Sequence, residues 1–213
     1  MAKLRTLEAL EDGISEETAW RKHELTAVRR SVEQASGAAR AAYLRAGVLV
    51  LYAHWEGWVK GVARLYVRYV NTQRLTYAEL SPAFLGQALK VRIASIDDAS
   101  TAAKHNEFAL FLREGMLERA KLSEELVQTQ SNLSSVVFLD VLQRIGLSRR
   151  SWFETRSNLI DEELVGRRNT IAHGKYLELG SVEYLKLHGD VLELLEVFTD
   201  DIRNSASTRS YLG

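Results

Sequence analysis

The chain has 213 residues, 46% of them hydrophobic and 26% charged, a globular balance with core enough to fold unaided. Its formal net charge is zero and it has no cysteine, which excludes disulfides, thiolate metal sites, cysteine nucleophiles and bulk positive charge for nonspecific nucleic-acid binding. One proline and 13 glycines argue against a turn-rich all-β fold and for long helices.

The opening stretch, MAKLRTLEALEDGISEE, is charged and amphipathic and has no apolar leader. The most apolar run, VLVLYA at 48–53, falls far short of the roughly 20 residues a membrane span needs. The expected setting is therefore cytoplasmic, without a membrane.

A first helix is expected over 15–36, with Ser15 as N-cap and Glu16 and Glu17 where the helix dipole favours anions. Ser36-Gly37 breaks it. A long helix follows over 38–71, apolar on nearly all sides between Gly47 and Val70, so it is expected to be buried on more than one face. A shorter helix occupies 80–96, entered after Ser81-Pro82, and 97–104 reads as polar loop. Weaker periodicity marks a helix over 107–122. Ser131 or Asn132 caps another over 133–145, which Gly146 ends. Asn158 opens the next, and the last runs over 182–204 with Leu185, Leu192, Leu195 and Phe198 on one side. The sum is an all-α antiparallel bundle of six or seven helices. Residues 1–36 read as an N-terminal helical extension, 37–205 as the helical domain and 206–213 as a polar tail. There is no internal repeat and no low-complexity linker.

The helix opened by Asn158 carries the chemistry. Asp161, Glu162 and Glu163 suit its N-terminal end. Ile160, Leu164 and Ile171 share a face, and Arg168 falls in line with them. Arg167 points about 100° away, toward solvent. His173 lies five residues after Arg168, about 140° round a regular helix, so the two side chains would diverge if the helix continued. Gly174 lets it stop in a left-handed turn, from which His173 can swing toward Arg168. Asn169, four residues before His173, shares its face.

Guanidinium, amide and imidazole together suit phosphodiester chemistry. Arginine offers a planar fork of donors that matches a phosphate. Histidine exchanges a proton near neutral pH and can deprotonate a ribose 2′-hydroxyl. Arginine can then stabilise charge on the phosphorane oxygens, with asparagine orienting either partner. The sequence holds no convincing metal cluster and implies no cofactor. The Arg-to-His spacing alone is a weak signal; the asparagine directly after the arginine and the capped helix end sharpen it.

The segment RRNTIAHG resembles the Arg-x4-6-His motif of the HEPN superfamily, in which a polar residue, often Asn, follows the arginine. The resemblance implies an α-helical bundle and, in many members, a metal-independent endoribonuclease. Such members act as toxins of toxin–antitoxin pairs, in antiviral defence or in RNA processing. It maps the catalytic arginine, polar residue and histidine onto Arg168, Asn169 and His173. It implies a homodimer with both motifs in one cleft, and products with 2′,3′-cyclic phosphate and 5′-hydroxyl ends. Single-stranded RNA is the expected substrate class, and an antitoxin or defence protein a candidate partner. LYAHWEGWVK at 51–60 resembles the long helix of a bacterial HEPN branch with a similar His-Trp-Glu segment, so the likeness spans 40–204 and leaves the first 36 residues outside. One departure stands out. In HEPN toxins paired with nucleotidyltransferase antitoxins, a modified tyrosine follows the histidine by two residues; here Tyr176 follows by three.

Other roles stay open on the sequence. Arg168 reads as a phosphate grip or as a buried arginine paired with a carboxylate such as Glu56. His173 reads as a proton-transfer group or as a helix-end histidine that complements the dipole. Glu56 could orient Arg168 or pair with Lys60, and His54 could line the cleft or be structural. Trp55 and Trp58 could stack on bases or pack in the core. Arg149, Arg150, Arg156, Arg167 and Lys175 could form a local basic patch, with Arg167, Lys175 and Tyr176 meeting substrate, or a solvated loop. A catalytically silent module that binds RNA, a nucleotide or a protein is the alternative to a nuclease.

Overall fold

The computed structural model describes residues 4–97, 101–127, 132–147 and 151–213. Among them the secondary structure is helical, with two isolated β-bridges and no strand. The chain is an all-α bundle, as its composition required.

Helix α1 (Leu7–Gln34) begins two turns before the expected Ser15, because Thr6 caps it by accepting from Ala9 N at 3.1 Å. Its stripe of Leu10, Ile14, Thr18, Leu25 and Val32 is buried, with 4- and 7-residue spacing. The expected break at Ser36-Gly37 leads into α2 (Gly37–Thr72), the axis of the molecule. Apolar residues on nearly all its sides are buried, among them Val48, Leu51, Trp55, Val59, Val62, Tyr66 and Val67. The short link folds α1 back antiparallel along α2: Thr72 Oγ1 donates to Leu4 O at 2.6 Å, and His54 pairs with Glu24. Leu10, Ile14, Leu25 and Val32 thereby enter the same core as α2, so the segment read as an extension is packed into the bundle.

Helices α3 (Pro82–Asp97) and α4 (Ala102–Glu114) follow. Part of the expected polar loop, 98–100, lies outside the described residues; α4 already begins at Ala102. The helix expected over 107–122 stops at Glu114. Beyond a 3₁₀ turn (Gly115–Leu117) the chain runs back along the end of α2. There Tyr77 N donates to Glu118 O at 3.1 Å and Ala120 N to Leu75 O at 2.9 Å. These backbone bonds outcompete a weak helical period. Helix α5 (Ser135–Arg144) is capped by Ser134, which accepts from Val137 N at 3.4 Å. Asn132 is therefore left free of that role, and Ser131 lies outside the described residues. A single turn, α6 (Ser151–Glu154), precedes the segment of interest.

That segment is not one regular α-helix. Leu159–Gly166 is a π-helix that runs directly into α7 (Arg167–Ala172). Helix α8 (Ser181–Ser207) closes the bundle against α1 and α2. Trp58 Nε1 donates to Thr199 Oγ1 at 2.9 Å across that contact. Trp55, Phe138, Phe153 and Phe198 interlock at the centre, with ring centroids 4.9 to 5.7 Å apart. Burying each such side chain contributes about 1.5–3 kcal/mol, so this cluster fixes how α2, α5, α6 and α8 meet. The polar tail is docked rather than loose: Tyr211 is buried, and Ser81 N donates to Tyr211 O at 2.8 Å.

Candidate active site

Ile160 and Leu164 are fully buried and anchor the π-segment on the core. A π-turn holds more residues than an α-turn, so every side chain after it is rotated about the axis relative to an unbroken helix. Arg168 accordingly sits half-buried at the edge of the apolar stripe, not under it. The helix ends as the spacing suggested. Gly174 takes φ +72°, Gly174 N donates to Ile171 O at 3.0 Å and Lys175 N to Thr170 O at 3.0 Å, a Schellman turn.

Three groups hold Arg168. Its Nη1 donates to Asn132 Oδ1 at 2.8 Å and to Asn169 Oδ1 at 2.7 Å, and its Cζ lies 4.6 Å from the centroid of the Tyr52 ring. The Nε and Nη2 protons have no partner among the described residues. Asn132 is itself fixed by its neighbours. The Tyr52 hydroxyl accepts from Leu133 N at 3.0 Å, and Trp55 Nε1 donates to Leu133 O at 3.0 Å. Asp161 accepts from Ser135 N at 2.7 Å and from Ser135 Oγ at 2.5 Å. The π-segment and α2 thus pin Leu133 and Ser135, the residues that follow Asn132 and lead into α5.

Arg168 lines an open groove of about 520 Å³ with Tyr52, Ala53, Glu56, Lys60 and Ala172. Glu56 forms an ion pair with Lys60 one turn on, the surface alternative read from the sequence. It also hydrogen-bonds the Tyr52 hydroxyl, whose oxygen lies 3.4 Å from Asn132 Oδ1. Burial chiefly, with help from the Glu56 carboxylate, pushes the Tyr52 hydroxyl up to about 12, so it stays protonated.

His173 is exposed at the helix end, and its ring has no hydrogen-bond or ion-pair partner among the described residues. It does not line the groove that holds Arg168. Asn169 meets Arg168 through its side chain and His173 only through the backbone, where His173 N donates to Asn169 O at 3.0 Å. Arginine and asparagine are brought together within one chain; the imidazole stands outside their cluster.

The remaining candidates are dispersed. His54 faces α1, not the groove: it is buried, with Nε2 2.7 Å from Glu24 Oε2 and Nδ1 3.4 Å from Arg21 Nη1. Burial lowers its pKa despite the Glu24 carboxylate. Arg167 turns to the other side of its helix, paired with Glu163 and 3.5 Å from Glu183. It lines a second groove of about 560 Å³ with Arg156, Lys186 and Asp190, in which acidic and basic groups balance. Arg149 and Arg150 lie outside the described residues. Lys175 and Tyr176 are exposed, and Arg45 reaches over the Tyr176 ring at 5.7 Å. Trp55 and Trp58 are core residues, which leaves base stacking to others.

Tyr52 and Asn132 were not singled out from the sequence. Tyr52 had a signal, since it lies one turn before Glu56 on the same face of α2. By residue type Asn132 suits a helix cap, and nothing in its local sequence points elsewhere. Among the described residues no group of three His, Cys, Asp or Glu side chains is placed to hold a metal, and no helix is long and apolar enough to cross a membrane.

An all-α bundle with an arginine, an asparagine and a histidine at the end of one helix has the architecture of a HEPN domain. The chain matches the MAE_28990-like HEPN family over residues 10–211 and belongs to that family. The match takes in most of α1, which the motif resemblance had left outside. No curated protein and no solved structure matches it.

Proposed function

We propose that the protein is a metal-independent endoribonuclease acting on single-stranded RNA as a homodimer. The observation that carries this reading is the state of Arg168. One nitrogen is held by two asparagines, while the Nε–Nη2 edge, the fork that grips a phosphate side-on, has no partner among the described residues of an open groove. His173 is exposed at the end of the same helix.

In this mechanism His173 takes the proton of a ribose 2′-hydroxyl as its oxygen attacks the adjacent phosphorus. Arg168 stabilises the charge on the phosphorane oxygens. The P–O5′ bond breaks, and the departing oxygen takes a proton from His173 of the partner subunit. The products are a 2′,3′-cyclic phosphate and a 5′-hydroxyl. A two-fold axis gives one cleft two identical half-sites, so that the imidazoles of both subunits, which each chain alone leaves outside its own Arg168 groove, meet the phosphate there. A cytoplasmic toxin or phage-defence effector, with a neutralising or activating partner protein, fits this activity.

The second reading is a module that binds RNA, a nucleotide or a protein without cutting. It is favoured by the position of His173 outside the Arg168 groove. One experiment separates the two: purified protein, a mixed RNA pool and excess EDTA. The nuclease yields cyclic-phosphate ends, and Arg168→Ala and His173→Ala each abolish them while unfolding as cooperatively as the parent. Binding without cleavage selects the silent module. Cleavage that requires added divalent ions rejects the metal-independent mechanism. Light scattering of the purified protein, giving a monomer at working concentration, would remove the shared cleft.

A further inference from the structure

We propose that Tyr52 and Asn132 are positioning residues for Arg168, a clamp that orders the guanidinium so that its Nε–Nη2 edge receives a phosphodiester. This rests on the reading of the groove as a phosphodiester site and adds two residues to it.

The geometry is specific. A free arginine side chain samples many rotamers, and a bound phosphate would have to offset the entropy lost in fixing one. Here that cost is met in advance. The Tyr52 ring supports the guanidinium on one side, its centroid 4.6 Å from Cζ. Asn132 Oδ1 and Asn169 Oδ1 take the two Nη1 protons and set the rotation of the guanidinium. What remains is the side-on fork, at the wall of the groove.

Asn169 is adjacent to Arg168 in the chain and moves with it. Asn132 belongs to another segment and is the external reference. The residues that follow it are held by bonds that do not involve Arg168: Leu133 N and O are taken by Tyr52 and Trp55 of α2, and Ser135 is held by Asp161. Tyr52 therefore acts twice, as the plate under the guanidinium and as an anchor for the loop that carries Asn132. Its hydroxyl oxygen lies 3.4 Å from Asn132 Oδ1, the same amide oxygen that accepts from Arg168 Nη1.

The test reads binding and cleavage separately. Binding is measured by anisotropy with a single-stranded 2′-O-methyl RNA, which 2′-hydroxyl attack cannot cut, across a range of salt. Removing one phosphate contact lowers the slope of log K against log salt by about 0.7 for a single strand. Arg168→Ala is expected to show that fall. Asn132→Ala is expected to show it too, although asparagine carries no charge, with affinity about tenfold lower. The double variant is expected to bind no more weakly than Arg168→Ala. Tyr52→Phe, which keeps the plate, is expected to retain more binding than Tyr52→Leu; that pair carries the test if Asn132→Ala does not fold.

An Asn132→Ala protein with parental slope and affinity overturns the clamp, as does a loss that adds in full to that of Arg168→Ala. Unmodified RNA tells the two ideas apart. Cleavage with no Asn132 effect on binding leaves a nuclease without the clamp. Coupled binding losses without cleavage leave the clamp in a non-cutting module. A parent protein that binds no RNA removes both.

Discussion

Arg168 shows why arginine and lysine are not interchangeable at such a site. On the proposed reading, a lysine there has no planar fork to offer one edge to asparagines and another to a phosphodiester. Arg168→Lys is therefore expected to lose cleavage by about 10²-fold or more, the scale of removing one donor to a transition-state oxyanion, while remaining folded. Cleavage within a few fold of the parent would mean that the fork is not used. Gly174 ends the helix that carries Arg168 and His173. At φ +72° a side chain is strained, so Gly174→Ala is expected to cost about 1 kcal/mol and to disturb the turn that presents His173. Thermal unfolding and initial cleavage rates should fall together; a change in neither would show that the turn tolerates alanine.

The helices are held by contacts of unequal rigidity, and two glycines of α2 expose the difference. A Cβ at Gly47 would lie 2.7 Å from the Tyr184 ring, which is fully buried and cannot move away. A Cβ at Gly57 would meet Arg21 Nη1, the far end of a flexible side chain. Gly47→Ala is therefore expected to destabilise by about 1–3 kcal/mol through overpacking between α2 and α8. Gly57→Ala is expected to be near neutral, since alanine's better helix propensity, worth about 1 kcal/mol, offsets the shift of Arg21. Denaturant unfolding of the pair gives the comparison, and equal losses would contradict it. The π-segment belongs to the same scale. It lets Ile160 and Leu164 stay in the core while Arg168 emerges at its edge, which a straight helix would not do with this spacing.

At the scale of the molecule, two buried histidines couple folding to pH. His54 lies between α1 and α2, and His188 is buried on α8 against α1, with Nε2 3.3 Å from Leu25 O. Burial lowers the pKa of both below 6.5. Above 6.5 the folded and unfolded chains are both neutral at these positions. Below it the unfolded chain takes up protons that the folded one refuses, so stability falls with pH. The melting temperature is expected to be lower at pH 5.5 than at pH 7.5, and His188→Gln is expected to flatten that slope. A melting temperature constant across the interval would show that neither histidine stays neutral on folding.

The long helices, the break at Ser36-Gly37 and the left-handed end at Gly174 were legible in the amino-acid order, whereas the spacing assigned Asn169 to the face of His173 and its side chain turns to Arg168 instead. Each legible feature depends on a period, a cap or a glycine acting within a few residues, and such effects belong to the chain wherever it folds. The HEPN motif is legible for the same reason, being a stretch of one helix. Partners between elements were not legible: Asn132 meets Arg168 across 36 residues, Tyr52 slides under the guanidinium from another helix, and His54 turns to α1 although it neighbours the groove in sequence. The π-turn also escaped, because its residues keep an ordinary helical pattern. Which side chains converge depends on how α2, α5 and the π-segment lock around Trp55, Phe138 and Phe153, and that packing is a property of the assembled core.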